Sequence, residues 1–264
     1  MKNLLIVSTF GPDATADWKD IQQCFIDRYT TNYDYAVYLH EVEESAFDDC
    51  KILGRTEGVL LHALPEMFNN IYKYFRTHEY ENYLLLDSDC FPIKHNWQKK
   101  LNKVMGDKWY AAPVRTDNLD TFPHPCALYI KGEHVAKPIF SFDRKVNFMQ
   151  NLRGEEVFDI GTGFKTEFDG QHILFPLVRS NFLNAHPMLA AIYGDMFYHH
   201  GAGSRTPFFR STSYWRSLVS DYEEAGQRCF DWVQEDPDGF IAMLRGEGLV
   251  HNPEMLKEFF LTGW

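Results

Sequence analysis

The chain has 264 residues and a formal net charge of −11 at pH 7, and hydrophobic residues make up 45% and aromatic residues 16% of it. This apolar content excludes a disordered chain, and the negative charge argues against broad nonspecific adhesion to nucleic acid or to anionic membranes. No apolar run approaches the roughly 18 residues of a transmembrane helix, and the five cysteines show no zinc-binding spacing, so we expect a cytoplasmic protein with free thiols.

The first predicted strand ends in a candidate binding loop. The apolar run Leu4–Val7 predicts a buried strand. A turn-rich segment follows at its carboxyl end, so Thr9 and Phe10 are candidate contacts for the nucleoside of a cofactor.

A helix and a second strand complete a predicted βαβ unit. Apolar residues at helical spacing over residues 18–29 predict a helix with Asp17 as its N-cap. Alternation over Tyr35–Leu39 predicts a strand. We expect an acidic, irregular connection from there to about Lys51.

The strongest helical period in the chain covers residues 64–75, with Pro65 placed in the first turn. This helix leads into the apolar run at residues 83–86. Asn96 is expected to cap another helix, which ends before Gly106. The lysines near that helix either form a solvated face or attract an anionic acceptor.

The apolar run at residues 83–86 stops abruptly at two carboxylates. Side chains at i and i+2 of an extended chain point the same way, so Asp87 and Asp89 can converge on one hard cation, Mn²⁺ or Mg²⁺. They follow the carboxyl end of a predicted strand, where open α/β sheets bind their ligands. The alternative is a solvated turn, because an Asp-x-Asp tripeptide is common by chance.

With the strand before it and the segment 91–93 after it, this stretch resembles the Asp-x-Asp motif of GT-A-fold glycosyltransferases. The resemblance implies an α/β fold with a GT-A-like, Rossmann-type mixed sheet flanked by helices. It also implies that a divalent ion joins Asp87 and Asp89 to the diphosphate of a nucleotide sugar, and that Ser88 lies beside this donor.

Three more strands are predicted at residues 109–114, 126–130 and 173–178. The first two are joined by a long polar connector, residues 115–125. This connector suits either an acceptor-facing loop or a plain surface connection.

Clustered acids precede a glycine-rich turn near the middle of the chain. Glu155, Glu156 and Asp159 are candidate catalytic residues that contact the acceptor, or equally caps of a helix that begins near them. Gly161 and Gly163 would let backbone approach a sugar, as they would let any tight turn form. They lack the third glycine and the preceding strand of a dinucleotide fingerprint, so a Rossmann cofactor site is rejected.

A later stretch joins a predicted strand end to potential metal ligands. His199 and His200 point to opposite sides of an extended chain, so we expect only one of them to bind the ion, His200 or else His199. The alternative is a polar turn in which both histidines are satisfied by hydrogen bonds.

The loop after these histidines favours a phosphate contact. Gly201 and Gly203 leave backbone N–H groups free to approach a phosphate, and Ser204 and Arg205 add donors and charge. A late histidine followed by such a loop resembles the second half of the metal-diphosphate site in many GT-A enzymes. The chain has Ser-Arg-Thr-Pro at residues 204–207 where glycogenin-like enzymes have Lys-Pro-Trp, and Arg205 could supply the charge of that lysine.

The pattern divides the chain into a catalytic domain, residues 1–205, and a C-terminal helical appendage, residues 206–264. Helices are predicted in the appendage at residues 214–222, 240–244 and 255–260. Turn signals at residues 236–239 lie between two of them.

These features predict a metal-dependent glycosyltransferase that moves a sugar from a nucleotide-diphosphate sugar, such as a UDP-sugar, to the hydroxyl of a soluble acceptor. The acceptor classes considered are a glycan or polysaccharide precursor, a small molecule and modified DNA of the phage type. One alternative is a metal-dependent nucleotidyl- or phosphotransferase, although the chain lacks a Gly-x-x-x-x-Gly-Lys-Ser/Thr loop. The other is a nucleotide-sugar-binding module without turnover. No membrane partner is expected.

Overall fold

The structure is a computed structural model, and it describes residues 2–11, 16–58, 60–115, 122–135, 149–150, 156–157, 170–182, 190–201 and 223–251. Over these residues the chain forms an α/β fold with a mixed sheet flanked by helices, which confirms the predicted class. None of the helices within these ranges is both long and apolar enough to cross a membrane.

The strands of the described residues are β1 (Lys2–Phe10), β2 (Tyr33–His40), β3 (Lys51–Thr56), β4 (Tyr80–Asp87), β5 (Cys90–Pro92), β6 (Tyr110–Val114), β7 (Ala127–Lys131), β8 (Met149–Gln150), β9 (Glu156–Val157), β10 (His172–Ser180), β11 (Ala191–Tyr193), β12 (Phe197–His199) and β13 (Leu249–Val250). The α-helices are α1 (Ala16–Tyr29), α2 (Leu60–Thr77), α3 (Trp97–Met105), α4 (Glu223–Glu235) and α5 (Pro237–Glu247). Single 3₁₀ turns lie at Glu44–Phe47 and Gly132–His134.

The main sheet has the strand order β3-β2-β1-β4-β7-β6-β10-β11-β12-β5, and β13 pairs with β10. Strands β1 to β4 are parallel to one another, and β6 is parallel to β10. Because β7 runs antiparallel to both β4 and β6, those two strands point the same way. Six strands therefore end at one edge of the sheet, whereas β8 and β9 form a separate ribbon.

The central strand β1 is buried on both faces. Leu4 and Ile6 pack in the cluster that holds Trp97 of α3, whereas Leu5 and Val7 pack in the cluster that holds Ile71 of α2. This division follows from the two-residue period of a strand. The helices on the two faces hold β1 and its neighbour β4 in fixed positions.

The predicted helix starts need correction. The helix α1 already begins at Ala16, so Asp17 lies in its first turn and is not the N-cap. The helix α2 begins at Leu60, which places Pro65 beyond the first turn. The proline removes one backbone hydrogen bond, and the buried apolar face of the helix, which includes Met67, outweighs that loss. Asn96 does precede α3, but its side chain makes no capping hydrogen bond.

The connection before Lys51 is irregular, as expected, with one 3₁₀ turn, and the strand β3 that follows it was not predicted. Strand β3 lies at the sheet edge and pairs only with β2 among the described strands. Apolar and polar residues do not alternate clearly along β3. At a sheet edge the backbone pairing can hold a strand without the burial of alternate side chains.

Helices α4 and α5 pack on the sheet through a shared core. Cys229 of α4 and Phe240 of α5 lie in the same buried cluster as Phe91 of β5 and Tyr198 of β12. The helix predicted at residues 240–244 is confirmed, and α4 was not predicted. The turn signal at residues 236–239 is the start of α5, where Asp236 accepts a hydrogen bond from the Gly239 amide at 2.9 Å. The helices predicted at residues 214–222 and 255–260 lie outside the described residues.

Candidate functional site

The last residue of β4 stands at the edge where the parallel strands end. Asp87 is opposite Thr9 in the register of β1 and β4, and its amide donates to the carbonyl of Cys126 at 3.0 Å. The strand is held from both sides, so the position of Asp87 is set by backbone pairing.

A tight turn and a short strand pair bring the second carboxylate and a histidine to the same place. After the turn at Ser88 and Asp89, strand β5 pairs with β12 so that Cys90 lies opposite His199. The amide of His200 donates to the carbonyl of Asp89 at 3.1 Å. These contacts lock the turn to the end of β12.

Two carboxylates and one imidazole converge at this point. His199 Nε2 lies 3.4 Å from Asp89 Oδ1 and 3.7 Å from Asp87 Oδ2, and one ligand atom from each of the three residues lies within 4.8 Å of the others. Asp89 and His199 are buried, whereas 36% of the Asp87 side chain is exposed. Protein therefore surrounds Asp89 and His199, whereas solvent reaches the carboxylate of Asp87.

This set of donors suits a divalent cation. Carboxylate oxygens and a neutral imidazole are the ligands that Mn²⁺ and similar ions accept. His199 Nε2 is the ring nitrogen beside the carboxylates, and the buried Nδ1 has no hydrogen-bond partner among the described residues. The residues present thus fit the ion that the motif implies.

The group holds three closely spaced titratable side chains, two of which are buried. Burial raises the pKa of Asp87 to about 6, and the neighbouring His199 opposes that rise. Burial by itself would lower the pKa of His199, but the sulfur of Cys126 and the carboxylate of Asp89 outweigh it and hold that pKa well above its ordinary value. In the metal-free protein the acids and the imidazole stabilise each other's charged forms.

A glutamine of α1 holds the turn from behind. The buried Gln22 side chain donates to the carbonyls of Asp87 and Cys90, at 2.8 Å each, and accepts a hydrogen bond from the hydroxyl of Tyr35 at 3.0 Å. The contact of Gln22 with the turn was not predicted. Its signal is a polar side chain in the apolar stripe of α1, four residues after Trp18.

The two histidines face opposite ways. His199 points to the carboxylates, whereas His200 points into the core, with its ring centroid 5.0 Å from that of Trp18 and its Nδ1 2.7 Å from the hydroxyl of Tyr198. Burial lowers the pKa of His200 to about 4, which keeps the ring neutral. Of the two histidines expected as alternative ligands, only His199 lies with Asp87 and Asp89.

The polar connector before β7 also reaches the site. The amide of His124 donates to the carbonyl of Pro113 at 2.7 Å, and the ring centroid of His124 lies 5.6 Å from that of His199. The sequence pattern predicts an acceptor-facing loop or a surface connection here and does not indicate a metal-ligating residue. Cys126, at its end, is buried beside these two rings.

The two buried thiols near the site differ in their ionisation. Burial would raise the pKa of Cys126, but a hydrogen bond with Cys90 and the nearby rings of His199 and His124 lower it well below the ordinary value. Burial raises the pKa of Cys90, and its hydrogen bond with Cys126 adds to that rise.

Four of the other predicted donor contacts lie in the described part of the chain, namely Thr9, Phe10, Ser88 and Gly201. Thr9 lies at the same sheet edge, and its hydroxyl donates to the carbonyl of Leu86 at 3.3 Å. Phe10 is fully buried against Phe47, with ring centroids 4.7 Å apart, so only its backbone is available to a ligand. Ser88 is buried in the turn, and Gly201 has a φ of 82°, which a glycine adopts without strain.

Several predicted residues lie outside the described part of the chain. These are the catalytic candidates Glu155 and Asp159 and the loop residues Gly203, Ser204 and Arg205. The backbone of Glu156 is described and belongs to β9, so no helix begins at that residue.

No family model and no curated protein matches the sequence. Among solved structures, the chain is similar to the glycosyltransferase GlyE of Streptococcus pneumoniae TIGR4, with 9% identity, a TM-score of 0.44, and coverage of 66% of this chain and 45% of GlyE. The match to the galactosyltransferase LgtC in complex with donor and acceptor sugar analogs has 10% identity and a TM-score of 0.46, and covers 64% of this chain and 72% of LgtC.

A glycosyltransferase involved in glycosylation of the major capsid of PBCV-1 is also similar, with 12% identity, a TM-score of 0.37, and coverage of 65% of this chain and 81% of that protein. The match spans less than half the length of GlyE. Since one fold supports many activities, these similarities do not assign a function to the chain.

Proposed function

We propose that the protein is a metal-dependent glycosyltransferase that moves a sugar from a nucleotide-diphosphate sugar to an acceptor hydroxyl. The observation that carries the proposal is the convergence of Asp87, Asp89 and His199 where the parallel strands end. In open α/β sheets this edge is where nucleotides bind.

In this proposal Asp87, Asp89 and His199 hold Mn²⁺ or Mg²⁺. The ion, when bound, neutralises the charge that builds on the departing nucleoside diphosphate. The two buried ligands, Asp89 and His199, fix its position, and the partly exposed carboxylate of Asp87 faces the side from which a diphosphate would approach.

The donor would lie along the carboxyl edge of β1. Backbone at Thr9 and Phe10 is close to the nucleoside in this arrangement, since Thr9 is opposite Asp87 in the sheet register. Gly201, together with Gly203, Ser204 and Arg205, would supply amide, hydroxyl and guanidinium donors to the diphosphate. We assign the donor to the UDP-sugars, in keeping with the Asp-x-Asp resemblance.

For the acceptor we propose a soluble glycan precursor, a small molecule or modified DNA. An inverting transfer needs a base near the acceptor hydroxyl, and Asp159 is our first choice for it, followed by Glu156 and Glu155. A retaining transfer has no such need.

The proposal is tested by incubating the purified protein with Mn²⁺ and a panel of nucleotide sugars, each with and without candidate acceptors. We expect one donor to release nucleoside diphosphate, slowly with water and faster with an acceptor. Release of pyrophosphate instead would indicate a nucleotidyltransferase. Saturable binding of a nucleotide sugar with no product of either kind would indicate a binding module and contradict the proposal.

A further inference from the structure

A second group of metal-binding side chains lies beside the carboxylates. One ligand atom each from His124, Cys126 and His199 lies within 4.8 Å of the others. His124 and Cys126 have no part in the proposed sugar transfer. The two groups share His199, so one imidazole stands between an oxygen-rich and a sulfur-containing set of ligands.

The backbone around the second group is held in place. The His124 amide is bonded to Pro113 of β6, and the Cys126 carbonyl accepts from Asp87 of β4. The amide of Cys126 donates a long hydrogen bond, 3.4 Å, to His124 Nδ1. An ion that binds Nδ1 would replace this contact, and an ion that binds Nε2 would leave it in place. Both residues are therefore fixed by strands on either side of the connector.

The chemistry of this set differs from that of the carboxylates. A thiolate and imidazoles select Zn²⁺ over Mg²⁺ or Mn²⁺, and three protein ligands leave a fourth position open. His199 has a ring nitrogen without a hydrogen-bond partner among the described residues, and the fully buried sulfur of Cys126 can bind an ion while it keeps its hydrogen bond with Cys90. His124 is half-buried, which gives an ion a route from solvent.

We propose that Cys126, His124 and His199 form a Zn²⁺ site next to the carboxylate site. Binding forms a zinc–sulfur bond and bonds to the two imidazoles, displaces water from the ion and releases to solvent the proton that the Cys126–His199 pair holds. The His199 ring is common to this site and to the carboxylate site. The zinc proposal does not depend on the proposed sugar transfer, because it rests only on the positions of these three side chains.

The test uses Co²⁺ as a spectroscopic substitute for Zn²⁺, added to the full chain in a reducing buffer. We expect a thiolate-to-cobalt charge-transfer band that saturates at one equivalent and disappears when Zn²⁺ is added. The matched variants are Cys126→Ser, which removes the thiolate, and Cys24→Ser, which changes an exposed cysteine of α1. The band should vanish in the first variant and persist in the second.

Two further variants separate this site from the carboxylate site. Asp89→Asn should keep the charge-transfer band, whereas His124→Ala should weaken Co²⁺ binding by about tenfold or more, a loss typical of a disrupted metal site. Thermal unfolding shows which variants are folded. If Cys126→Ser does not fold, Cys126→Ala and His124→Ala take its place in the test. Absence of the band in the wild type, or its persistence in a folded Cys126 variant, would overturn the proposal whether or not the protein transfers sugars.

Discussion

At the residue scale, the buried carboxylate of the turn is the most specific ligand. Asp89→Asn removes one negative charge without changing volume, so we expect the fold to persist and sugar transfer to fall by about 10²-fold or more. Transfer with saturating Mn²⁺ and circular dichroism measure the two effects. The matched control is Asp48→Asn, an exposed aspartate in a 3₁₀ turn's C-cap. Wild-type transfer by a folded Asp89→Asn protein would refute the metal assignment.

The neighbouring histidines should respond in opposite ways to the same substitution. His199→Ala removes a ligand, so it should weaken Mn²⁺ binding by about tenfold or more. His200→Ala opens a cavity against Trp18 and Tyr198, so it should lower the free energy of unfolding by about 2 kcal/mol with metal binding retained. Mn²⁺ titration and urea unfolding of both variants give the comparison. Equal effects on metal binding would contradict the assignment of His199 alone.

The proposed catalytic base is one of three acids that precede the glycine-rich turn. If transfer inverts the sugar, alanine at one of Asp159, Glu156 and Glu155 should lower transfer by about 10²-fold or more with donor binding nearly unchanged, as expected for lost transition-state stabilisation. Donor titrations and initial rates for each variant measure this, and NMR of the product gives the stereochemistry. Three near-normal rates would remove this segment from the mechanism.

At the scale of the elements, the site depends on how α1 is tied to the turn between β4 and β5. Gln22→Leu would leave the carbonyls of Asp87 and Cys90 without their buried donor, so we expect a loss of about 2–3 kcal/mol in unfolding free energy and weaker Mn²⁺ binding. Gln23→Leu, on the same helix and half-buried, is the matched control. If both variants lose the same stability and neither changes metal affinity, Gln22 does not position the site.

At the scale of the whole molecule, metal binding should raise stability because the ligands come from distant parts of the chain. Mn²⁺ at about 100 times its dissociation constant would add roughly 2.7 kcal/mol to the free energy of unfolding, and EDTA would remove that gain and stop sugar transfer. Thermal unfolding and rates with EDTA, then with Mn²⁺ or Mg²⁺ restored, measure both. Full activity in EDTA would mean a metal-independent mechanism.

Much of the fold could be predicted because its signals are local. The strands that contain Leu4–Val7 and Tyr35–Leu39 and the helix around Ile71 follow from apolar periodicity, and the structure confirms them. Strand β3 and the helix start at Ala16 could not be predicted in the same way. Backbone pairing at an edge and the packing of a helix end leave little pattern in the sequence.

The sequence alone placed Asp87 and Asp89 where a buried apolar run ends, because that run is a local signal. It also placed His199 and His200 on opposite sides, because neighbouring side chains of an extended strand alternate. Tertiary structure decided which histidine joins the acids, because that depends on β12 pairing with β5 across more than 100 residues of chain. It also decided that Gln22, His124 and Cys126 surround them. Pairing between strands distant in sequence is selected by the packing of the complete sheet, and a local pattern does not encode that choice.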